Sequence, residues 1–310
     1  MTSLHIEPTS RCPLECPACP RTTWKEITKK PVAKNDLSLD ALSKFLDCES
    51  GAAVDRLLLC GDYGDAIYYP ELFNLIKRFR HKRFDIRTNG SFRTKEFWLE
   101  LADLLTKDDV IVFGIDGLED TNHLYRKNSN WESIMTGLEI MVKSPATVKW
   151  QTIAFAFNQN SLQDIKSFAE SKGAEFFAMK THRYGDNKLI PEGKLVETTH
   201  SWRDEFANNE PIIIEPRCDI TKVVTSEGYY LPCDWLRNPL TWYKSDIWKN
   251  RKDWFDKMSI DQINLDQGNE LINKWKQLVI DKGNAGSPKL DHLCKMKCRK
   301  GCAQDNTLEL

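Results

Sequence analysis

Between Leu4 and about residue 185, short β-rich runs alternate with amphipathic helical stripes, and this alternation restricts the chain to few folds. Parallel neighbouring strands cannot be joined by tight turns, so each pair needs a crossover, usually a helix. The strand runs are Leu4–Glu7, Arg56–Leu59, Phe84–Arg87, Val110–Ile115, Lys149–Phe155 and Glu175–Met179. Between them lie apolar stripes at helical spacing: Leu39, Leu42, Phe45 and Leu46 behind a Ser38 N-cap, then Leu72, Leu75, Ile76 and Phe79. Phe97, Leu101, Leu104 and Leu105 follow, then Ile134, Leu138, Met141 and Val142, then Leu162, Ile165, Phe168 and Ala169. Six βα units, fewer than the eight of a closed barrel, predict an α/β fold with a partial (β/α)6 TIM-type barrel over residues 1–190.

Past residue 190 the alternation stops. Pro211–Pro232 reads as irregular chain followed by a short hairpin turning at Ser226-Glu227-Gly228. Two helices are expected after it, near Asp246–Met258 and Glu270–Asp281, the second with Leu271, Ile272, Trp275, Leu278 and Val279 on one face. Gly283 is the expected C-cap beyond its end. Residues 191–310 therefore read as a small second domain, a β-hairpin plus helices.

Lysine and arginine total 44 against 45 acidic residues, so no positive field draws the chain to phosphate backbones or anionic lipid, and nucleic acid is not indicated. The start, MTSLHIEPTSRCP, lacks the basic and apolar regions of a secretory signal, and no run of about 18 apolar residues follows that would cross a bilayer. The expected location is the cytoplasm, with no membrane partner. Cytosolic thiols are kept reduced, so the ten cysteines point to metal or redox chemistry rather than disulfides. Cys12, Cys16 and Cys19 are grouped near the start, five lie between 218 and 302, and only Cys48 and Cys60 fall between the groups, which implies two metal sites.

The segment Arg11-Cys12-Pro13-Leu14-Glu15-Cys16-Pro17-Ala18-Cys19-Pro20 follows the first strand directly. Three thiolates at these spacings on one loop can hold three irons of a cubane and leave the fourth iron without a protein ligand. An open metal position is what a catalytic site needs, as in zinc enzymes that keep one position free. The competing reading is a zinc knuckle on Cys16 and Cys19 with Cys12 incidental; zinc would want a fourth ligand, and the nearest histidine, His5, sits inside the strand.

CxxxCxxC in the loop after the first strand of a partial barrel resembles the defining motif of the radical S-adenosylmethionine (SAM) superfamily. The resemblance covers about residues 4–302 and is strongest in the cysteine patterns. It implies a [4Fe–4S] cluster on Cys12, Cys16 and Cys19, whose open iron chelates the amino and carboxylate groups of SAM. Reduction of such a cluster cleaves SAM to methionine and a 5′-deoxyadenosyl radical, which abstracts hydrogen from a substrate. The chain departs from the family at Ala18, where many members carry an aromatic residue before the third cysteine.

Barrel enzymes place their chemistry at the C-terminal ends of the strands, so the residues there are the test of this reading. The second strand opens into Gly61-Asp62-Tyr63-Gly64-Asp65, two glycines that let backbone approach a ligand closely, or else an ordinary tight turn with solvated aspartates. It resembles the family's GGEP clamp for the SAM amino group, with Asp65 in place of glutamate and Ala66 in place of proline. Cys60 reads as a buried small apolar side chain. Thr88-Asn89-Gly90 and Gly114-Ile115-Asp116-Gly117, the latter followed by Tyr125-Arg126, resemble the TNG and IDG segments that line the SAM ribose and carboxylate pocket. The fifth strand leads into Asn158, and the sixth into Lys180, Thr181, His182 and Arg183. The Arg183 guanidinium would pair with the SAM carboxylate or with substrate, unless it is a solvated loop cation.

Cys218 and Cys233 give the pattern Cx9GxxxxC across the expected hairpin, with Gly228 at its turn. This resembles the opening of the SPASM and twitch domains, which append auxiliary iron–sulfur clusters to radical SAM barrels. The resemblance implies an auxiliary [4Fe–4S] cluster in residues 191–310, and the one-cluster twitch type suits five cysteines better than the two-cluster SPASM type. Cys294, Cys298 and Cys302 would share one helical face; Cys294 and Cys298 are the expected partners of Cys218 and Cys233, with Cys302 the alternate. A structural zinc site is the other reading of this group. Asp234 follows Cys233, where the aspartate of sulfatase-maturating relatives acts as a general base; by itself it reads equally as the start of a turn or helix.

The expected function is a radical SAM oxidoreductase or maturase acting on a small-molecule or peptide substrate, fed by an electron donor such as flavodoxin or ferredoxin. Two alternatives stand beside it. One is a molybdopterin-precursor type of radical SAM enzyme, against which the end Asn306-Thr307-Leu308-Glu309-Leu310 offers no glycine pair. The other is a zinc-dependent binding module.

Overall fold

The computed structural model describes residues 2–181, 186–192, 215, 218, 222–233, 256–285, 298 and 307–308. Its elements are β1 (Thr2–Ile6), α1 (Pro20–Thr28), α2 (Leu39–Phe45), α3 (Glu49–Ala53), β2 (Val54–Leu59), α4 (Leu72–Arg78), β3 (Arg83–Thr88) and α5 (Lys95–Leu104). They continue with β4 (Val110–Gly114), α6 (Trp131–Met141), β5 (Thr147–Ile153), α7 (Leu162–Ser171) and β6 (Glu175–Met179). Last come β7 (Val223–Val224), β8 (Tyr230–Leu231), α8 (Leu265–Asn284) and β9 (Thr307–Leu308). Local chemistry explains the helix starts: Ser38, Thr94 and Asn130 each accept from the backbone N–H three residues on, which satisfies a donor that the first turn leaves unpaired.

The sheet order is β8-β7-β1-β2-β3-β4-β5-β6-β9, with β1 to β6 parallel and consecutive. Right-handed crossovers that always step the same way put helices such as α2, α5 and α6 on one face and curl the sheet into an open half-barrel. That covered face holds Leu57, Leu59, Phe84, Ile86, Ile111, Phe113 and Trp150, all fully buried with Leu42, Phe45, Trp98, Leu101 and Leu138 from the helices. The opposite face alternates with it: β3 and β5 both run half-buried, buried, half-buried along their length. All six expected strands are present, with ends within two residues of those read from the pattern.

Three features differ from the sequence reading. The expected hairpin forms, turning through Gly228 at φ +81°, but β7 pairs parallel with β1 and so continues the barrel sheet. On the other strand of the hairpin, β8, Tyr230 is fully buried against Phe45 of α2, at 5.1 Å between ring centroids. Next, α8 is twenty residues long and runs past Gly283, so that glycine lies within the helix and is not its C-cap. Ile272, Trp275 and Val279 are buried on one side of α8, and their packing outweighs the cost of about 1 kcal/mol for a helical glycine. Lastly, of the helix expected near Asp246–Met258 only 256–258 lies within the described residues, as a 3-10 turn.

Candidate active site

The loop after β1 is tied down on every side. Arg21 donates to the carbonyls of Ser10 at 2.6 Å and Tyr63 at 3.2 Å, Asp65 N–H to Arg11 O at 2.9 Å, and Glu15 N–H to Lys127 O at 3.2 Å. Asp36 accepts from Thr9 Oγ1 and from Arg11 Nε and Nη2. Cys19 N–H donates to Cys16 O at 3.1 Å, and Cys19 is also the N-cap of α1, whose first residue, Pro20, needs no N–H partner. Leu14, Cys16, Tyr125, Phe155 and Leu189 form a small apolar cluster around the loop, with Ala18 packed against it. Tyr125 stacks on Phe155 at 4.2 Å.

A cavity of about 300 Å³ opens beside this loop at the C-terminal ends of the strands. It is lined by Cys12, Cys16 and Cys19, by Gly61, Asp62, Tyr63, Gly64 and Asp65, and by Thr88, Asn89 and Arg126. Residues from four separate segments of the chain thus meet at one opening. Burial pushes the Cys16 thiol up to about 12 and the Cys12 thiol up as well, so a positive charge must be supplied to hold them as thiolates. Asn89 Nδ2 donates to Cys12 Sγ at 3.7 Å. Among the described residues no three His, Cys, Asp or Glu side chains converge tightly enough for a single metal ion. Three thiols spread around one cavity instead suit a multi-iron group, whose irons each take one thiolate.

The glycines and acids have definite tasks. A Cβ on Gly61 would lie 2.8 Å from Glu7 Cγ, and one on Gly64 1.8 Å from Thr9 O, so neither position admits a side chain. Glu7, buried under this loop, accepts from Tyr63 N–H at 2.7 Å and Gly64 N–H at 3.3 Å. Asp65 accepts from Ile67 N–H at 3.2 Å and Asn89 N–H at 2.6 Å, which ties the second strand's loop to the third's. Burial raises the Asp65 carboxyl above its ordinary value, and the bonds to Asn89 and Ile67 oppose that.

Asp116 does not line the cavity. It is fully buried behind Arg126, whose Nε donates to it at 2.7 Å, and its other oxygen accepts from Ile153 N–H at 2.8 Å. Burial would lower Arg126, but Asp116 and Cys16 beside it keep the guanidinium charged. Asn158 locks the end of β5 by donating to Asp116 O at 2.6 Å and Ile153 O at 2.9 Å. Cys60, expected to be a buried apolar filler, lines the cavity, because it stands on the concave face one position past β2. Thr181, named at the end of the sixth strand, also lines it, as do Arg87 and Gln151, which were not anticipated; the alternating Arg83-Phe84-Asp85-Ile86-Arg87 pattern was the available signal for Arg87.

Of the second cysteine group, Cys218 and Cys298 are buried, and Glu215 N–H donates to Cys298 O at 2.6 Å, which brings the two segments together. Cys233 is half-buried two residues past β8. Arg183, Asp234, Cys294 and Cys302 lie outside the described residues. Among the described residues no helix is long and apolar enough to cross a membrane.

No protein-family model matches the chain. Over 120 residues it is 28% identical to the tungsten-containing aldehyde ferredoxin oxidoreductase cofactor-modifying protein of Pyrococcus furiosus, a match spanning 38% of this chain and 32% of that protein. The aligned stretch is thus about a third of that relative's length. Among solved structures, anSMEcpe with bound AdoMet, the abbreviation for SAM, superposes with a TM-score of 0.57 at 12% identity, covering 95% of each chain. Streptococcus suis SuiB bound to its precursor peptide SuiA gives 0.57 at 14% identity, covering 94% of this chain and 75% of that one. These two structures are radical SAM enzymes, and the chain has their fold.

Proposed function

We propose that the chain is a radical SAM enzyme that oxidises a small molecule or a peptide side chain. The observation that carries this reading is the meeting of Cys12, Cys16 and Cys19 with the Gly61–Asp65, Thr88–Asn89 and Arg126 segments around one cavity. When bound there, a reduced [4Fe–4S] cluster supplies the cleavage of SAM to a hydrogen-abstracting 5′-deoxyadenosyl radical. The protein's part is to hold and orient. The three thiols are the ligands, Asn89 donates to the sulfur of Cys12, and Gly61 and Gly64 let the loop after β2 pack closely on Glu7 and Thr9, which fixes that loop's backbone at the place proposed for the amino end of SAM. Asp116 keeps Arg126 charged and aimed at the cavity, where its guanidinium suits a carboxylate. The walls of the half-barrel exclude water from reactive species.

In the same reading, residues 191–310 form an auxiliary-cluster domain of twitch type, with Cys218, Cys233, Cys294 and Cys298 as ligands, Cys302 as alternate and Asp234 as general base. The nearness of the Cys218 and Cys298 segments supports it. Arg183 would serve SAM or substrate. Electrons would come from a flavodoxin or ferredoxin in the cytoplasm.

The deciding experiment is anaerobic incubation of reconstituted protein with SAM and a strong reductant, followed by assay of 5′-deoxyadenosine. Wild type should produce it, and Cys12→Ala, Cys16→Ala and Cys19→Ala should each abolish production. Iron analysis should give about eight irons per chain for two cubanes. Two zincs and no deoxyadenosine would instead establish the zinc-dependent module.

A further inference from the structure

A closed barrel fills its interior with branched apolar side chains, whereas the concave face here carries Arg56, Asp85, Arg87, Lys149 and Gln151, all half-buried. Arg87 lines the cavity one position deeper along β3 than Thr88. The register places Arg87 beside Val112 and Gln151 beside Gly114. The two long side chains therefore meet over a small residue and a bare one, and Arg87 Nη1 donates to Gln151 Oε1 at 3.0 Å. Lys149 on the same face is paired with Glu175 at 3.0 Å.

Arg87 is differently placed. Its Nε stands 3.6 Å from Asp85 Oδ1, and the same carboxylate also faces Arg56 at 4.0 Å, so two guanidinium charges share one acid at longer than hydrogen-bond range. Arg126, the other described arginine lining the cavity, is matched by its own carboxylate at 2.7 Å and lies against Cys16. Asp62 and Asp65 line the cavity nearer the cysteine loop. On the deeper floor Arg56 and Arg87 have only Asp85 between them among the described residues, and the Arg87 guanidinium that Gln151 orients is more than a third exposed.

We propose that Arg87, positioned by Gln151, binds an oxyanion of the substrate, a carboxylate or a phosphate, inside the half-barrel beneath the cysteine loop. A guanidinium fork pairs with either group through two parallel N–H donors. The proposal rests on the reading above only in calling the bound anion a substrate group and not a cofactor group.

The test uses reconstituted holoenzyme with saturating SAM, titrated calorimetrically with inorganic phosphate and separately with succinate, with succinamide as the neutral control. Wild type should bind one of the anions and not succinamide, and the preferred anion identifies the source. Arg87→Gln should lose about ten-fold or more in affinity, Arg87→Lys less, and Gln151→Leu about three-fold. The SAM affinity, read from the change in the reduced cluster's EPR spectrum, should stay within about two-fold in all three. Arg87→Gln binding the anion as tightly as wild type, wild type binding neither anion, or a ten-fold loss of SAM affinity would each overturn the proposal. Should Arg87→Gln be insoluble, the other two variants decide by the same criteria. Absence of deoxyadenosine from wild type would sink the cofactor reading instead, and the anion titrations, which need no turnover, remain readable.

Discussion

Asp36 holds the cysteine loop from outside the cavity, accepting from Thr9 Oγ1 at 2.6 Å and from Arg11 Nη2 at 2.6 Å. Partial burial works to raise its carboxyl, but Arg11 and Thr9 together hold it below the usual carboxylate range. A group lowered in this way binds fewer protons in the folded state than in the unfolded one. Its stabilisation is therefore full above the unfolded value, near pH 4, and is lost as pH falls through the lower folded value. Asp36→Asn should lower the melting temperature at pH 7 by about 2 °C, a modest effect because the pair is partly exposed. The difference from wild type should close below about pH 4. An unchanged difference at pH 3 would show that Asp36 acts through something other than its charge. Asp116→Asn belongs to the same scale. It strips a fully buried partner from Arg126 and should cost about 3–5 kcal/mol in urea unfolding, unlike the mild change at Asp36.

At the scale of elements, α5 and α6 lean together through one close approach. A Cβ on Gly137 of α6 would lie 2.4 Å from Trp98 Cε2 of α5, and Trp98 is fully buried with Phe113 against its ring at 5.5 Å. Alanine in a helix normally gains about 1 kcal/mol over glycine. Overpacking a rigid core costs about 1–3 kcal/mol, and a ring walled in on several sides puts this site at the upper end. Gly137→Ala should accordingly destabilise by about 1–2 kcal/mol in urea denaturation. A variant as stable as wild type would mean that Trp98 can shift, and that the α5–α6 contact is softer than its burial implies.

The whole molecule is joined by the hairpin and α8. Tyr230 of β8 is fully buried on Phe45 of α2 and donates to Asn269 of α8 at 2.9 Å. Asp266 of α8 accepts from Ser50 N–H of α3 at 3.0 Å. Residues of the barrel and of the later segment thus share one core. Tyr230→Ala should cost about 3–5 kcal/mol, the range for deleting a buried aromatic side chain. Far-UV circular dichroism and tryptophan fluorescence should still report one coincident transition. Two separated transitions would show that the hairpin and α8 unfold apart from the barrel.

The amino-acid sequence by itself determined the six parallel strands, the main helices between them and their order. Alternation of period two and stripes of period 3.6 are local properties, and they placed the six parallel strands within two residues. The segments after those strands, with their cysteines, glycines and polar residues, were also legible, because a parallel barrel brings strand C-termini to one end whatever its detailed packing. Tertiary structure alone decided what each polar residue does there. Asp116 looked like a pocket residue and stands behind Arg126, Glu7 looked like a strand end and holds the Gly61–Asp65 loop, and Arg87 meets Gln151 across β4. The hairpin itself was legible, but that its first strand, β7, pairs with β1 was not. These outcomes depend on register, curl and close approaches between segments far apart in the chain. Periodicity marks which side of a strand is apolar, but it carries no information about which distant side chain arrives on the other.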